Sequence, residues 1–317
     1  MKTQDCADLE KLEKIDLLPY EQGNTGISYL HRFDSGYPGP HVMITALVHG
    51  NEVCGAIALD HLMRSGVRPG KGVLSLCFVN VDAYALFSYD DPRASRFVDE
   101  DLNRVWSGDV LDSSRDSTEI RRSRELRGYV ETVDYLLDIH SMDSGDKPLV
   151  LSGPLEKGIE LARKVGYPEM VVADAGHKGG QRLRDYGEFS DPNSHKNALL
   201  VECGPHWQRG TERVAIDMCY RFLRAIDILR DIDRPAQTWE ATRQRVVEVR
   251  EAITMESEEF AFTENFQGFE VIPKAGTTIA WDGQRAIRTP HDDCVLIMPV
   301  AKPKRNTTVV RLGREIQ

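Results

Sequence analysis

Short apolar runs of strand length, each followed by a helical pattern, constrain this chain more than any other feature. His41-Val-Met-Ile-Thr-Ala-Leu-Val48 reads as a buried strand, and 53–65 as a helix stopped at Gly66. Val73-Leu-Ser-Leu-Cys-Phe-Val79 is a second buried strand, 117–130 a helix and 133–140 a third strand. Leu149–Ser152, Met170–Ala173 and Ala198–Glu202 add strands, and 155–166 and 210–230 add helices, the last with Val214, Met218, Phe222, Ile226 and Leu229 on one stripe. Such alternation implies an α/β fold with a mixed or mostly parallel sheet flanked by helices. Residues 1–30 are polar and lead towards an edge strand, and 89–117 form a long charged loop region of the kind that often carries function.

After Asp233-Arg-Pro-Ala the pattern changes. Val246–Arg250, Phe260–Phe262, Phe269–Ile272, Thr277–Ala280 and Val295–Met298 read as short strands punctuated by Gly and Pro. The expected division is a catalytic domain over 1–235 and a small all-β domain over 236–317. At 317 residues and 41% hydrophobic, the chain is long enough for both.

The first and third strands end in the same kind of chemistry. His49-Gly-Asn-Glu52 leaves the tip of one, and His140 ends the other. His49 and Glu52, three apart, share a face on the first turn of a helix. A lone His-x-x-Glu is commonly a solvated surface pair. What singles out this one is position, because function gathers at the carboxyl ends of strands in open α/β sheets. Two histidines and a carboxylate, with a fourth position for water, form the ligand set of a catalytic zinc rather than a structural one. Asp138, two residues before His140 and so on the same side of a strand, is placed to orient a ligand imidazole. Glu202 ends an apolar strand, where a carboxylate is costly unless paired. It reads either as a proton acceptor beside a metal-bound water or as a cap on the loop Cys203-Gly-Pro-His206. In the loop, Arg96 and the neighbours Asn103-Arg104 offer planar donors suited to a carboxylate or an oxyanion.

These motifs, His49-x-x-Glu52, Asp101-Leu-Asn103-Arg104, Asp138-Ile-His140 and Val201-Glu202-x-Gly-Pro, occur in an order that resembles the aspartoacylase / succinylglutamate desuccinylase family, within the zinc carboxypeptidase-like superfamily. The resemblance covers roughly residues 40–310. It implies a zinc-dependent amidohydrolase with one Zn2+ per chain, a carboxypeptidase-like α/β domain and a C-terminal β domain that walls the active site. Residue by residue, it implies that His49, Glu52 and His140 bind zinc, Glu202 is the general base, and Arg96 polarises the scissile carbonyl. Asn103 and Arg104 would grip a substrate carboxylate. His206 stands where aspartoacylase has a glutamine, and either touches substrate or caps its loop.

Two departures leave the substrate open. The family's arginine about ten residues before the catalytic glutamate is absent from Ser190-Asp-Pro-Asn-Ser-His-Lys196, so Lys196 or Arg184 substitutes or no second carboxylate is read. The family's late tyrosine is also missing, with Ala301-Lys-Pro-Lys-Arg305 near its place. The expected substrate is a small N-acylated amino acid or a related carboxylate-bearing amide. A carboxypeptidase acting on peptides and a non-catalytic relative are the alternatives.

A net charge of -10 without a long basic tract argues against nucleic acid as a partner. No run approaches the ~20 apolar residues of a membrane span. The N-terminus lacks a secretory signal, and six cysteines without a CxxC pair read as reduced thiols of a cytoplasmic protein. Members of the family are often oligomeric, so self-association is a further expectation.

Overall fold

The computed structural model describes residues 11–143, 147–233 and 243–316. Strands β1 (Leu30–Asp34), β2 (His41–Ala46), β3 (Val73–Phe78), β4 (Tyr135–Met142), β5 (Leu149–Leu151), β6 (Met170–Ala173) and β7 (Asn197–Pro205) build the first part of one large sheet. Helices α1 (Val53–Arg64), α2 (Val81–Ala85), α3 (Gly108–Leu111), α4 (Thr118–Val130), α5 (Glu156–Val165) and α6 (Thr211–Ile226) connect them. Strand β2 pairs in parallel with β3 and β4, and β4 with β7. These central strands are almost wholly buried, as parallel strands covered by helices on both faces must be. The edge strand expected after residue 30 is β1, antiparallel to β3.

Local chemistry sets the helix ends. Ser117 caps α4 by accepting from the Ile120 backbone N–H at 3.0 Å. Gly166 closes α5 in the left-handed conformation, at φ 69°. Helix α6 turns its apolar stripe inwards, burying Ala215, Met218, Phe222 and Leu223 in the core that also holds Leu59 and Leu62 of α1. The loop region 89–117 is less open than its composition implies. It contains single turns at Ala94–Arg96 and Leu102–Arg104 besides α3, and Glu119 pins it by accepting from the backbone N–H groups of Val98, Asp99 and Glu100.

Residues 243–316 contain strands and no helix: β8 (Arg245–Thr254), β9 (Phe260–Phe262), β10 (Val271–Ile272), β11 (Thr278–Asp282), β12 (Arg285–Arg288), β13 (Cys294–Ile297) and β14 (Thr308–Glu315). Most of this segment extends the first sheet. Strand β8 pairs in parallel with β6, and β14, β13 and β10 follow, giving eleven strands in the order β1-β3-β2-β4-β7-β5-β6-β8-β14-β13-β10. Only β12, β11 and β9 form a separate small antiparallel sheet. The expected α/β fold with a C-terminal β portion is therefore present, but the backbone ladder runs unbroken from one part to the other. The expected boundary at 235/236 lies outside the described residues. Strands β12 and β14 escaped the sequence reading because arginines interrupt their apolar runs.

Truncating Phe222, fully buried on α6, removes a large side chain from the centre of this core. We expect Phe222→Ala to lower the unfolding free energy by about 3–5 kcal/mol. Urea denaturation measures it, and a loss under about 1 kcal/mol would contradict the packing described.

Candidate active site

Three strand ends meet at one point. The chain leaves β2 through Leu47, whose φ of 62° is a conformation L side chains rarely adopt and which stores strain beside the site. It then makes a tight turn in which the Glu52 N–H donates to the His49 carbonyl at 3.2 Å, and α1 begins at Val53. His49 and Glu52 thus converge through a turn that precedes the helix, not on the helix's first turn as their spacing suggested. Gly50 is required there. A Cβ on it would lie 2.4 Å from backbone atoms of Ala83 and Tyr84 and 2.5 Å from the Ser95 carbonyl. The Gly50 N–H also donates to the Arg96 carbonyl at 3.1 Å, so the turn that carries His49 and Glu52 and the arginine turn are fastened together.

Glu52 sits between the two imidazoles. Its Oε1 lies 2.7 Å from His49 Nδ1, and its Oε2 lies 2.9 Å from His140 Nδ1. The Ser141 N–H donates to Oε2 at 3.1 Å. One ligand atom from each of His49, Glu52 and His140 lies within 4.8 Å of the others. The far nitrogens of both rings meet carboxylates. His49 Nε2 is 2.9 Å from Asp101 Oδ1, and His140 Nε2 is 2.8 Å from Asp138 Oδ2. Asp138 is in turn held by the Thr45 hydroxyl at 2.7 Å. Both Nδ1 atoms therefore point to the centre while a carboxylate orients each ring from behind, the arrangement that metal-binding histidines use.

The electrostatics agree with that geometry. Burial works to raise the Glu52 carboxyl, but the two imidazoles overwhelm it and hold the group well below the usual range. Burial pulls His140 down, yet Asp138 and Glu52 keep it well above its ordinary value. Without a cation, the three groups must share protons to coexist out of water.

Glu202 lies beside His140 in parallel register on β7, inside the strand rather than at its end. Burial pushes its carboxyl up to about 8; Glu52 reinforces this, while His140, Arg96 and Arg311 oppose it. Its Oε2 is buried and has no hydrogen-bond partner among the described residues. An orphaned acid oxygen beside a three-ligand cluster fits a bound metal with its water.

The cluster opens into a cavity of about 460 Å3, within the ordinary range for small-ligand sites. Arg96 stands nearest, with Nη2 2.9 Å from His49 Nε2 and 3.1 Å from Asp101 Oδ2. Asn103 accepts the Leu183 N–H on Oδ1 at 2.9 Å, so the amide Nδ2 is what it offers a ligand. Arg104 lines the same wall. Burial draws the His206 ring down to about 4, and its Nδ1 meets the Ser141 hydroxyl at 2.7 Å. The cavity thus gathers His49, Glu52, His140, Glu202, Arg96, Asn103, Arg104 and His206 on one surface.

The stand-ins for the missing arginine do not reach it. Arg184 donates to the Ser152 and Ala198 carbonyls at 2.7 and 2.9 Å, and Lys196 to the Glu131 carbonyl at 2.6 Å. Neither lines the cavity. The residues that do, and that the sequence reading overlooked, are His177, Arg182 and Arg311. Arg182 bonds Asp185 at 2.5 Å and Asp174 at 3.2 Å, and its Nη2 is buried without a partner among the described residues. Arg311, on β14, lies 3.3 Å from Asp174. The available signal was an arginine inside Val309-Val-Arg311-Leu, since a charge within an apolar strand is retained only when paired or used.

A buried acid, a cluster able to hold a metal and a set of arginines in one cleft are the parts of a hydrolytic site. The chain belongs to the succinylglutamate desuccinylase/aspartoacylase family, whose catalytic domain matches residues 38–228. It is 23% identical over 303 residues to a succinylglutamate desuccinylase of Shewanella piezotolerans, covering 86% of this chain and 81% of that protein. It is 25% identical over 189 residues to an N-acyl-aromatic-L-amino acid amidohydrolase (carboxylate-forming) of Xenopus laevis, covering 54% of this chain and 57% of that one. The structure of succinylglutamate desuccinylase from Vibrio cholerae superposes with a TM-score of 0.67 at 15% identity, covering 91% of this chain and 86% of that one. A product-bound ectoine utilization protein of Ruegeria pomeroyi gives 0.59 at 17% identity, covering 90% and 88%. At these identities the two structures show a shared fold.

The close packing at Gly50 yields a direct test. Gly50→Ala must displace the ligand turn, and we expect metal affinity, measured by competition with a chelating dye, to fall at least about tenfold. Unchanged affinity would contradict the geometry.

Proposed function

We propose that this protein is a zinc-dependent amidohydrolase that cleaves the amide bond of small N-acyl amino acids. The observation that carries the reading is Glu202 Oε2, buried and without a partner beside the His49–Glu52–His140 cluster. Two imidazoles and a carboxylate suit zinc better than the harder divalent ions. When bound, the ion supplies Lewis acidity, which brings the pKa of a coordinated water towards ~7.

The chain's own residues then divide the work. Glu202, ionised once the cluster holds its cation, accepts the attacking water's proton and later delivers it to the departing nitrogen. Arg96 donates to the carbonyl oxygen as negative charge develops there. Asn103 and Arg104 hold a substrate carboxylate and fix the amide relative to Glu202. Arg182 and Arg311 supply the site for a second anionic group, in place of the position at which relatives carry their arginine. Burial and the neighbouring Arg104, Arg311 and Arg182 draw His177 down to about 4, so it adds a neutral hydrogen-bonding group to that wall. The reading of 236–317 as a C-terminal β domain that shapes the site is supported by Met298, Val300, Thr308 and Arg311 in the cavity lining.

A reducing, cytoplasmic setting is supported by Cys54, Cys77, Cys203, Cys219 and Cys294, all free and buried. Among the described residues no helix is long and apolar enough to cross a membrane.

Release of free amine from a panel of N-acetyl, N-formyl and N-succinyl amino acids, with short peptides alongside, tests the assignment. Turnover of small acyl-amino acids is expected, and activity on peptides alone would contradict it. Glu202→Gln should keep its metal and lose at least about 10²-fold in kcat; near-normal turnover would remove Glu202 from the role of base. Arg311→Met should raise KM for substrates with two carboxylates at least about tenfold and spare those with one. Equal losses on both would contradict the role given to Arg311.

A further inference from the structure

We infer that His206 is a catalytic residue that donates from Nε2 to the scissile carbonyl oxygen, as a second donor beside Arg96. This inference rests on the amidohydrolase reading and deepens it, since that reading leaves His206 without a role. The residue is 8% exposed and lines the catalytic cavity. Its position is fixed from two sides. The His206 backbone N–H donates to the Met142 carbonyl at 2.8 Å, and the ring Nδ1 meets the Ser141 hydroxyl at 2.7 Å. Ser141 follows His140 and gives its own N–H to Glu52 Oε2 at 3.1 Å. The imidazole is therefore registered to the proposed metal ligands through one intervening residue.

The Ser141 hydroxyl settles which ring nitrogen carries the proton. It is buried, and Nδ1 is its one hydrogen-bond partner among the described residues. A buried hydroxyl proton needs an acceptor, so it goes to Nδ1. The imidazole is neutral, because burial, assisted by Arg96 and His49, outweighs the opposing pull of Glu52 and Asp143. A neutral ring whose Nδ1 accepts holds its proton on Nε2. Nε2 bonds no described residue, yet it is not one of the polar atoms sealed in the core, so its N–H reaches the cavity.

A neutral donor adds little for a substrate carboxylate that arginines already face. It contributes most where charge develops during the reaction, because its hydrogen bond strengthens as the acceptor becomes an oxyanion. Arg96, the donor already assigned, commits Nη2 to His49 and Asp101. A second N–H, held rigid between two strand ends, needs no reorganisation when that charge appears.

Kinetics, binding and proton position test this on protein of equal zinc content. His206→Ala should lower kcat at least about 10²-fold and leave KM within about threefold. His206→Gln, whose amide keeps an N–H, should recover at least about tenfold of that loss. A rise in KM at unchanged kcat would make His206 a substrate anchor, and a Gln variant no better than Ala would make it a packing residue. Either result overturns the inference. A phosphinate analogue, with tetrahedral phosphorus in place of the scissile carbonyl carbon, reads the same donor without turnover. In His206→Ala its affinity should fall at least about tenfold more than that of the amide measured in the Glu202→Gln background; equal losses would overturn the inference. Long-range 1H–15N correlation spectra of the wild-type protein locate the proton without relying on a variant that folds. It is expected on Nε2, and a proton on Nδ1 would overturn the inference in an active or an inactive protein. Wild-type protein that cleaves no acyl-amino acid sinks the amidohydrolase reading itself, and the catalytic role of His206 with it, even with the proton on Nε2.

Discussion

Everything at the centre of this protein depends on one buried carboxylate. Glu52 is 1% exposed and stands between His49 Nδ1 and His140 Nδ1. A charge in that position is tolerable only when opposite charge is close by. The parallel strands set the positions, because β2 and β4 are hydrogen-bonded neighbours and their carboxyl ends lie side by side. Asp101 and Asp138 then fix the rings from behind, and Glu202 is delivered by the next strand in register with His140. Change the strand order and these side chains separate.

That dependence explains what was legible in the sequence. His49, Glu52, His140 and Glu202 were visible because they end, follow or interrupt apolar runs, where polar side chains need a reason to be. Asp138 was visible for a similar reason, two residues from His140 on the same side of a strand. The turn at Gly50 was not, since the need for a bare Cα there comes from Ala83, Tyr84 and Ser95, more than thirty residues away. The spacing of His49 and Glu52 was right and its cause was different, a turn ahead of α1. Periodicity located the central strands and α6 to within a few residues, because burial on both faces leaves a plain apolar run.

The C-terminal segment was harder to read. Its short strands predicted a β unit, and the regular elements described after residue 243 are all strands. Local pattern could not reveal that β8 continues the first sheet beside β6, because pairing between distant strands leaves no periodic trace. Arg311 went unread because β14 itself did, its apolar run being broken by arginines. That strand joins the large sheet between β8 and β13. The arginine absent from the loop before Glu202 was sought close by in sequence, at Arg184 and Lys196, whereas the arginines lining the cavity besides Arg96 and Arg104 are 182 and 311. Lys196 and Arg184 hold backbone carbonyls and brace the approach to β7 instead.

His49, Glu52 and His140 are proposed to hold one metal ion. Isothermal titration of metal-stripped protein with zinc tests it most directly. A single site per chain is expected, and it is lost in His140→Ala while the variant remains folded by circular dichroism. Absence of binding in the wild type, or undiminished binding in His140→Ala, would contradict it.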